Sequence, residues 1–533
     1  KDKSKVFIHF YKTESREGRR PENFYHKGLE TKNSVRGRDG EIYTETEKTY
    51  TDKATDAERS YFAQLNETRT VYHEGGSAIT TAQSYEYDAY GNVKRYTDHG
   101  DVSDGTDNVT ANILYEYRES SYLMALPVQI TVTDSGGAVL RQRTGAYDHN
   151  GGLRSVTHVS GNESSTTTMD YYADGNLKLV MYPPNERSQR YGLTYTYDPA
   201  VQTYVSSVTD VFGLKSQSTY DARFGVPIVT GDTNNNTIYY YYDSFGRMTR
   251  VVGPNDAGSS TISFSYDISG IPARCITRNR GYHLTNDYVD TIVTIDAMKR
   301  VISTAVTSEV NGAGGYTVSG AVEYDEMGRV IRQGQPMFST TGTGASMKNP
   351  TVTAYDAVGR KTRVDMPDGT DISFDYGISS ANGKRTLVTT VTDQMGRRRV
   401  THKDIRDNIT AVIEPGGAAA SYTYTPLGEI TEVKDAEGNT TAIRYDGFGR
   451  RTEINNPDTG RTVFGYDPAG NMTRKITAEL SAKGKAIRYH YNHNRLTQID
   501  YPFMDDVYYT YGDTGSGYNR AGRVYKTDNG TVS

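Results

Sequence analysis

The sequence predicts an all-β chain, a long antiparallel sheet built from repeated β-hairpins. Three observations predict it. A Tyr-Asp-x-x-Gly-Arg/Asn motif recurs, and in its most regular stretch the tyrosines Tyr424, Tyr445 and Tyr466 stand 21 residues apart, a period in the range of repeat architectures. A second turn-rich spot lies between successive motifs, at 435–439 and 456–460. The runs between turns, such as 428–433 and 440–445, alternate with period two and favour β-branched and aromatic residues, the pattern of paired strands. One repeat is therefore one hairpin.

The motif reads as turn chemistry. In Tyr445-Asp446-Gly447-Phe448-Gly449-Arg450 the aspartate can accept from the backbone two residues on, which favours a type I turn. Gly449 stands where a G1 bulge needs positive φ. Arg450 restarts a strand, and Tyr445 ends the previous one with a ring that stacks on its neighbours and a hydroxyl expected to reach water.

Composition narrows the class. Hydrophobic residues make up 35% of 533, Trp is absent and Phe numbers 13, yet there are 45 Tyr and 53 Gly. Such a chain has no material for a thick Leu-rich interior, and Tyr, Thr and Val suit a pleated surface wetted in part on both faces. Acidic and basic residues nearly balance, 65 against 60, so no general attraction to nucleic acid or anionic membrane is expected. The densest basic spot, Arg397-Arg398-Arg399 with His402, Lys403 and Arg406, reads as a solvated strand face. A single cysteine, Cys275, rules out an intramolecular disulfide. No apolar run reaches the ~18 residues of a membrane-spanning helix. Both ends read as cuts in a longer polypeptide.

Along the chain, residues 1–84 are a β-rich lead-in, with a strand near Val6, a polar loop at 16–21, and a turn or two of helix at 52–59. Residues 85–533 form the repeat array. Its repeat-turn residues are Tyr87, Asp88 and Gly91; Tyr242, Asp243, Gly246 and Arg247; Tyr324, Asp325, Gly328 and Arg329; Tyr355, Asp356, Gly359 and Arg360; Tyr445, Asp446, Gly449 and Arg450; and Tyr466, Asp467 and Gly470. Degenerate copies stand at Tyr147, Tyr172, Tyr197, Tyr220, Tyr491 and Tyr518. Asp393 to Arg397 is a copy lacking only its tyrosine. An insertion at 101–108 interrupts the spacing, and 339–346 reads as a surface loop or hairpin extension.

A dozen such motifs in register resemble the YD repeat of the RHS (rearrangement hot spot) superfamily. The lead-in resembles the passage into the repeats in the B component of bacterial insecticidal Tc toxins and SpvB-like proteins. The resemblance implies a sheet spiralling into a hollow shell. In bacterial relatives the shell encloses a C-terminal toxic effector, with a second RHS subunit and a translocation component as further partners. In the teneurin branch a similar barrel binds partners at a cell surface. A ribbon of roughly 200 Å, wound at roughly 50 Å diameter, gives little more than one turn, so this chain is expected to form part of a wall.

No catalytic constellation emerges. His490 and His493, at i and i+3 on a strand, face opposite sides and make a poor metal pair. Cys275 has no base nearby in sequence. There is no nucleophile elbow, Walker loop or zinc-protease helix. The stretch 232–236 lacks the closing Glu of a calcium loop and reads as a hairpin tip. Asp467-Pro468-Ala469-Gly470 resembles the tail of the RHS self-cleavage element but sits in register with the repeats. The expectation is a non-catalytic bacterial scaffold, secreted or on the cell surface, that encapsulates an effector. It needs no cofactor or metal. The alternatives are a teneurin-like adhesion or glycan-binding module and a polysaccharide-degrading enzyme, which would need two carboxylates across a cleft.

Overall fold

The computed structural model describes residues 5–10, 26–56, 60–256, 259–281, 287–381 and 384–529. They form 42 strands and one α-helix, Ala478–Ala482. The loop expected at 16–21, residues 57–59 and the extreme ends lie outside the described residues. Strands pair antiparallel with their sequence neighbours into sheets of 24 and 18 strands.

The two sheets are one ribbon with a crack in it. Strands Ala313–Val318 and Val322–Tyr324 run on in one direction, and Val330–Gln333 and Met337–Ser339 return beside them. The outer pieces pair with the first sheet and the inner pieces found the second. At the crack, a Cβ on Gly320 would lie 1.6 Å from the Gly334 carbonyl oxygen, so the crossing is open to glycine alone. The loop 340–350 folds back over it. Gly342 is buried, and Ala345 packs on Ile292, Ala305 and Val318. This segment is partly internal, where the sequence suggested a surface loop or a hairpin extension.

Residues 52–56 are strand, against the helical expectation. They continue Ile42–Asp56, which pairs with Ser60–Glu74, and the cross-strand ladder overrides a weak local helix preference. The helix at Ala478–Ala482 is too short for a periodicity signal; Thr477 caps it through Leu480 N–H, and Leu480 is its one buried residue.

The ribbon has two unlike edges. We call the edge bearing the Tyr-Asp turns the Tyr edge and its opposite the far edge. In the 18-stranded sheet every register shift falls at a Tyr-edge turn, as at Arg444/Tyr445 and Gly465/Tyr466. Far-edge pairings such as Glu432↔Ala442 and Glu453↔Val463 run without one. A bulge repeated along one edge bends and twists a ribbon.

The coil that results is tighter than the sequence estimate. Strand Asp371–Ala381 packs beside strand Ser77–Tyr87, 22 ribbon positions earlier, because the four strands at the crack fill only two positions. At ~4.8 Å per position, a winding measures about 106 Å around and about 34 Å across. The described ribbon therefore completes about 1.8 windings, where little more than one was expected.

The interior is not a conventional core. Among the described residues 13 hydrophobic side chains are buried against 14 polar or charged ones, and the buried hydrophobic cluster has three members, Ile292, Ala305 and Val318.

Candidate functional site: the seam between windings

Each Tyr-Asp turn is a closed hydrogen-bonded unit. Asp446 Oδ1 accepts from the N–H groups of Phe448 and Arg450, both at 2.9 Å, and Oδ2 accepts from Arg450 Nε at 2.7 Å. Gly449 N–H closes the turn on the Asp446 carbonyl with φ +81°. Asp243, Asp325 and Asp356 repeat this with Arg247, Arg329 and Arg360, and Gly246, Gly328 and Gly359 share the positive φ. In the Asp88 and Asp467 turns, where Gly91 and Gly470 take the positive φ, an Asn amide replaces the guanidinium. Asp325 is held below the usual carboxylate range: burial pushes it up, but the Arg329 N–H and guanidinium outweigh that.

The tyrosines do more than stack. The wet hydroxyl expected at Tyr445 is not the rule along the array, because in other repeats the phenol donates to the backbone. Tyr466 reaches the Arg451 carbonyl at 2.9 Å, the residue just past the preceding turn. Tyr87, Tyr242, Tyr324 and Tyr355 reach Leu65, Pro227, Val301 and Val330 in the same way. Tyr445 ends strand Thr440–Tyr445 at the equivalent place. Each motif arginine lies over the next tyrosine, Arg329 over Tyr355 and Arg450 over Tyr466, both at 4.9 Å. Arg450 Nη1 also donates to the Asp467 carbonyl at 2.8 Å. The motif thus ties each hairpin to the next, which a turn alone would not do.

Three degenerate copies are placed differently. Tyr511, not Tyr518, is the anchoring tyrosine of its repeat, donating to the Leu496 carbonyl; Tyr518 is 91% exposed in the inserted loop. Tyr171, donating to the Leu153 carbonyl, precedes Tyr172 in that role. The Asp393–Arg397 turn lies on the far edge, which explains its missing tyrosine. Asp467 is engaged in its turn and 3% exposed. His493 sits in a turn at φ +56°, not on the strand with His490.

The windings meet along a seam where the Tyr edge of the second lies on the far edge of the first. Hydrogen bonds cross it between residues 282 to 308 apart. Gly447 N–H donates to Ser160 Oγ, Ser165 Oγ to the Pro468 carbonyl, Asn185 Nδ2 to the His493 carbonyl, and Ala521 N–H to Asn234 Oδ1. The hairpin tip at 232–236 is thus a seam contact. Seam charges have a polarity: Arg360 pairs with Glu74, Lys384 with Asp104, Arg385 with Asp101, Arg406 with Asp98 and Asp107, Arg450 with Glu163, and Arg495 with Asp210. In each, the second winding supplies the cation. Arg141–Glu429 is the reverse.

The strongest tie is the long hairpin Asp371–Ala381 with Lys384–Thr392. Arg385 forks onto Asp101, with Nε–Oδ2 at 2.9 Å, and also reaches the Ala78 carbonyl at 2.9 Å and Ser103 Oγ at 2.7 Å. Thr386 beside it is fully buried, its hydroxyl 3.0 Å from His402 Nδ1. Burial lowers the His402 pKa below its ordinary value. Burial also pushes Asp107 up, while in Asp101 it is outweighed by the Arg385 guanidinium, which holds that carboxyl down. These seam residues were missed from sequence, although the insertion 101–108 and the basic spot 397–406 carry complementary charge. Within that spot Arg397, Arg399 and Lys403 are paired with Asp393, Glu414 and Asp407.

Among the described residues no helix is long and apolar enough to cross a membrane. The RHS Repeat family model matches residues 424–461 and 445–480. No curated protein sequence matches the chain. The fold is similar to the crystal structure of TcdB2-TccC3, with a TM-score of 0.77 and 15% identity, covering 95% of this chain and 35% of that one. TcdB2-TccC3 without its hypervariable C-terminal region and the Tc holotoxin pore of Photorhabdus luminescens are each similar at TM-score 0.76 and 14% identity, covering 95% of this chain and 36% of theirs. The chain spans about a third of the length of these structures, and at this identity the likeness is one of fold.

Proposed function

We propose that this RHS-repeat chain is a non-catalytic section of shell wall that helps to enclose an effector polypeptide. The observation that carries the reading is surface area. The chain exposes 31017 Å², whereas a compact globule of 59.1 kDa would expose about 19,000 Å². Both faces of the ribbon must therefore be largely wetted. A wall with more polar than apolar buried side chains offers an unfolded chain excluded volume and weak contacts, not a sticky core. The side chains of the Tyr-Asp motifs are committed to turns, neighbouring repeats and the seam.

In this proposal residues 1–84 lead into the array 85–533, and a second RHS subunit or further chain completes the wall. A translocation component delivers the content of an extracellular bacterial complex. The similarity to TcdB2-TccC3, one form of which lacks a hypervariable C-terminal region, supports this reading. Electron microscopy of the full-length protein tests it. A wall around a lumen is expected, with the sequence downstream of the repeats resisting protease until the wall is opened. A solid particle, or a downstream segment cleaved as fast as when expressed alone, would overturn it.

A further inference from the structure

The hairpin tips of the Tyr edge occur in two states. In the second winding the seam covers them. Phe448, at the tip of the Tyr445–Arg450 turn, is half-buried, while Gly447 beside it donates to Ser160 and Arg450 reaches Glu163. Val358 and Leu427, at the same place in their own tips, are 36% and 37% exposed. In the first winding the same tip stands bare. The Tyr242–Arg247 turn repeats Tyr445–Arg450, with its Asp–Arg contact also at 2.7 Å and Arg247 lying over Phe245 as Arg450 lies over Phe448. Yet Phe245 is 77% exposed. The next three tips continue the row with Ile268 and Ile271, Met298, and Met327, all more than half exposed. Four tips spaced two strands apart make an apolar ridge about 30 Å long, the kind of feature that marks an interaction surface.

We propose that this ridge docks on the far edge of the second winding of a second copy of the chain, so that copies stack head to tail with a further seam between them. The seam within one chain specifies what a row of Tyr-edge tips meets: a far edge whose anions face its cations. The far edge of the second winding meets that requirement. Its turns 366–370, 393–397, 414–418, 435–439, 457–459, 477–486 and 501–506 hold nine acidic residues against three basic ones. Glu437, Asp458 and Asp505 are exposed there and form no ion pair among the described residues. Phe503 and Met504 add exposed apolar surface to the same edge. On the ridge Asp243, Asp267, Asp296 and Asp325 are engaged inside their own turns. That leaves exposed Lys299 and the partly exposed guanidinium groups of Arg247 and Arg300 to face those acids; Glu326, at the last tip, is the exception. The two surfaces are unlike, so the contact is heterologous and each copy takes a partner at either end. The docking concerns the rim of the ribbon and holds whether or not the wall encloses an effector.

Sedimentation velocity of the whole chain at rising concentration is the test, and the wild type is expected to associate. A ridge variant, Phe245→Ser with Met298→Ser, and a far-edge variant, Glu437→Lys with Asp458→Lys, change only exposed side chains. Each should keep the wild-type melting temperature while its self-association weakens about tenfold or more. Each variant also retains the surface that the other lacks. Mixed in equal amounts, they should form a one-to-one pair that grows no further. A wild type that stays monomeric at every concentration overturns the proposal. So does association that neither variant weakens, which is the outcome for strand-to-strand pairing, and so does a mixture in which the two variants ignore each other.

Discussion

Replacing Arg385 by alanine tests whether the seam is held by side chains reaching across it. The guanidinium makes four hydrogen bonds to the first winding, two to Asp101 and one each to the Ala78 carbonyl and Ser103 Oγ. A hydrogen bond to a charged group contributes about 1.5–3 kcal/mol, but the four are not additive, and Arg385 is 38% exposed, so solvent screens much of its charge. Asp101 is only 10% exposed and would keep just the Ser103 donors. The balance is a loss of about 2 kcal/mol of local stability. In native-state hydrogen exchange this accelerates seam amides in 77–82 and 101–107 about thirtyfold. Amides of the Tyr445–Arg450 turn, on another stretch of seam, should not change. Asp101→Asn combined with Arg385→Ala should be less harmful than the sum of the singles. If exchange at 77–82 is unaltered, or the double change is additive, the windings are held by something other than this clasp.

Two further outcomes follow from the same geometry. Tyr466→Phe removes only the bond to the Arg451 carbonyl and should lower the urea midpoint by an amount worth about 0.5–1 kcal/mol, whereas Tyr518→Phe, at a 91% exposed ring, should leave it unchanged; equal effects would contradict the assignment of anchoring tyrosines. For pH, the His402 pKa is depressed by burial from 6.5, so the unfolded chain takes up that proton first and the stability is complete above about 6.5 and lost as pH falls through the folded value. Asp101 and Asp104 are also depressed and act with the same sign lower down, below about 4. Asp107, raised by burial, opposes them there. Unfolding followed by circular dichroism should therefore show a first decline just below pH 6.5 that His402→Gln removes; a wild-type profile level down to about pH 4 would refute it.

How much was legible in the sequence depended on distance along the chain. The Asp446–Gly449 turn could be read because every atom it needs lies within four residues. The tyrosine's partner, 15 residues back, is still inside one repeat, yet nothing in the pattern distinguishes a phenol facing water from one facing a carbonyl. The seam pairs residues nearly three hundred apart, and neither half of Arg385–Asp101 carries a local signature. Tyr518-Asn519-Arg520-Ala521-Gly522-Arg523 misled because an inserted loop happens to spell the motif one turn after Tyr511. The turn at Asp393 misled because edge assignment requires counting strands, and the missing tyrosine was the clue to the other edge.

The two windings do not mesh tip for tip. The hairpin carrying Lys384 and Arg385 and the turn 404–408, successive tips of the second winding, both land on the single loop 101–108 of the first. One long insertion thus absorbs a surplus tip, in the way a vernier lets two unequal scales run side by side. The number of hairpins in neighbouring turns of the coil need not match, provided that a loop of sufficient reach and opposite charge takes up the difference.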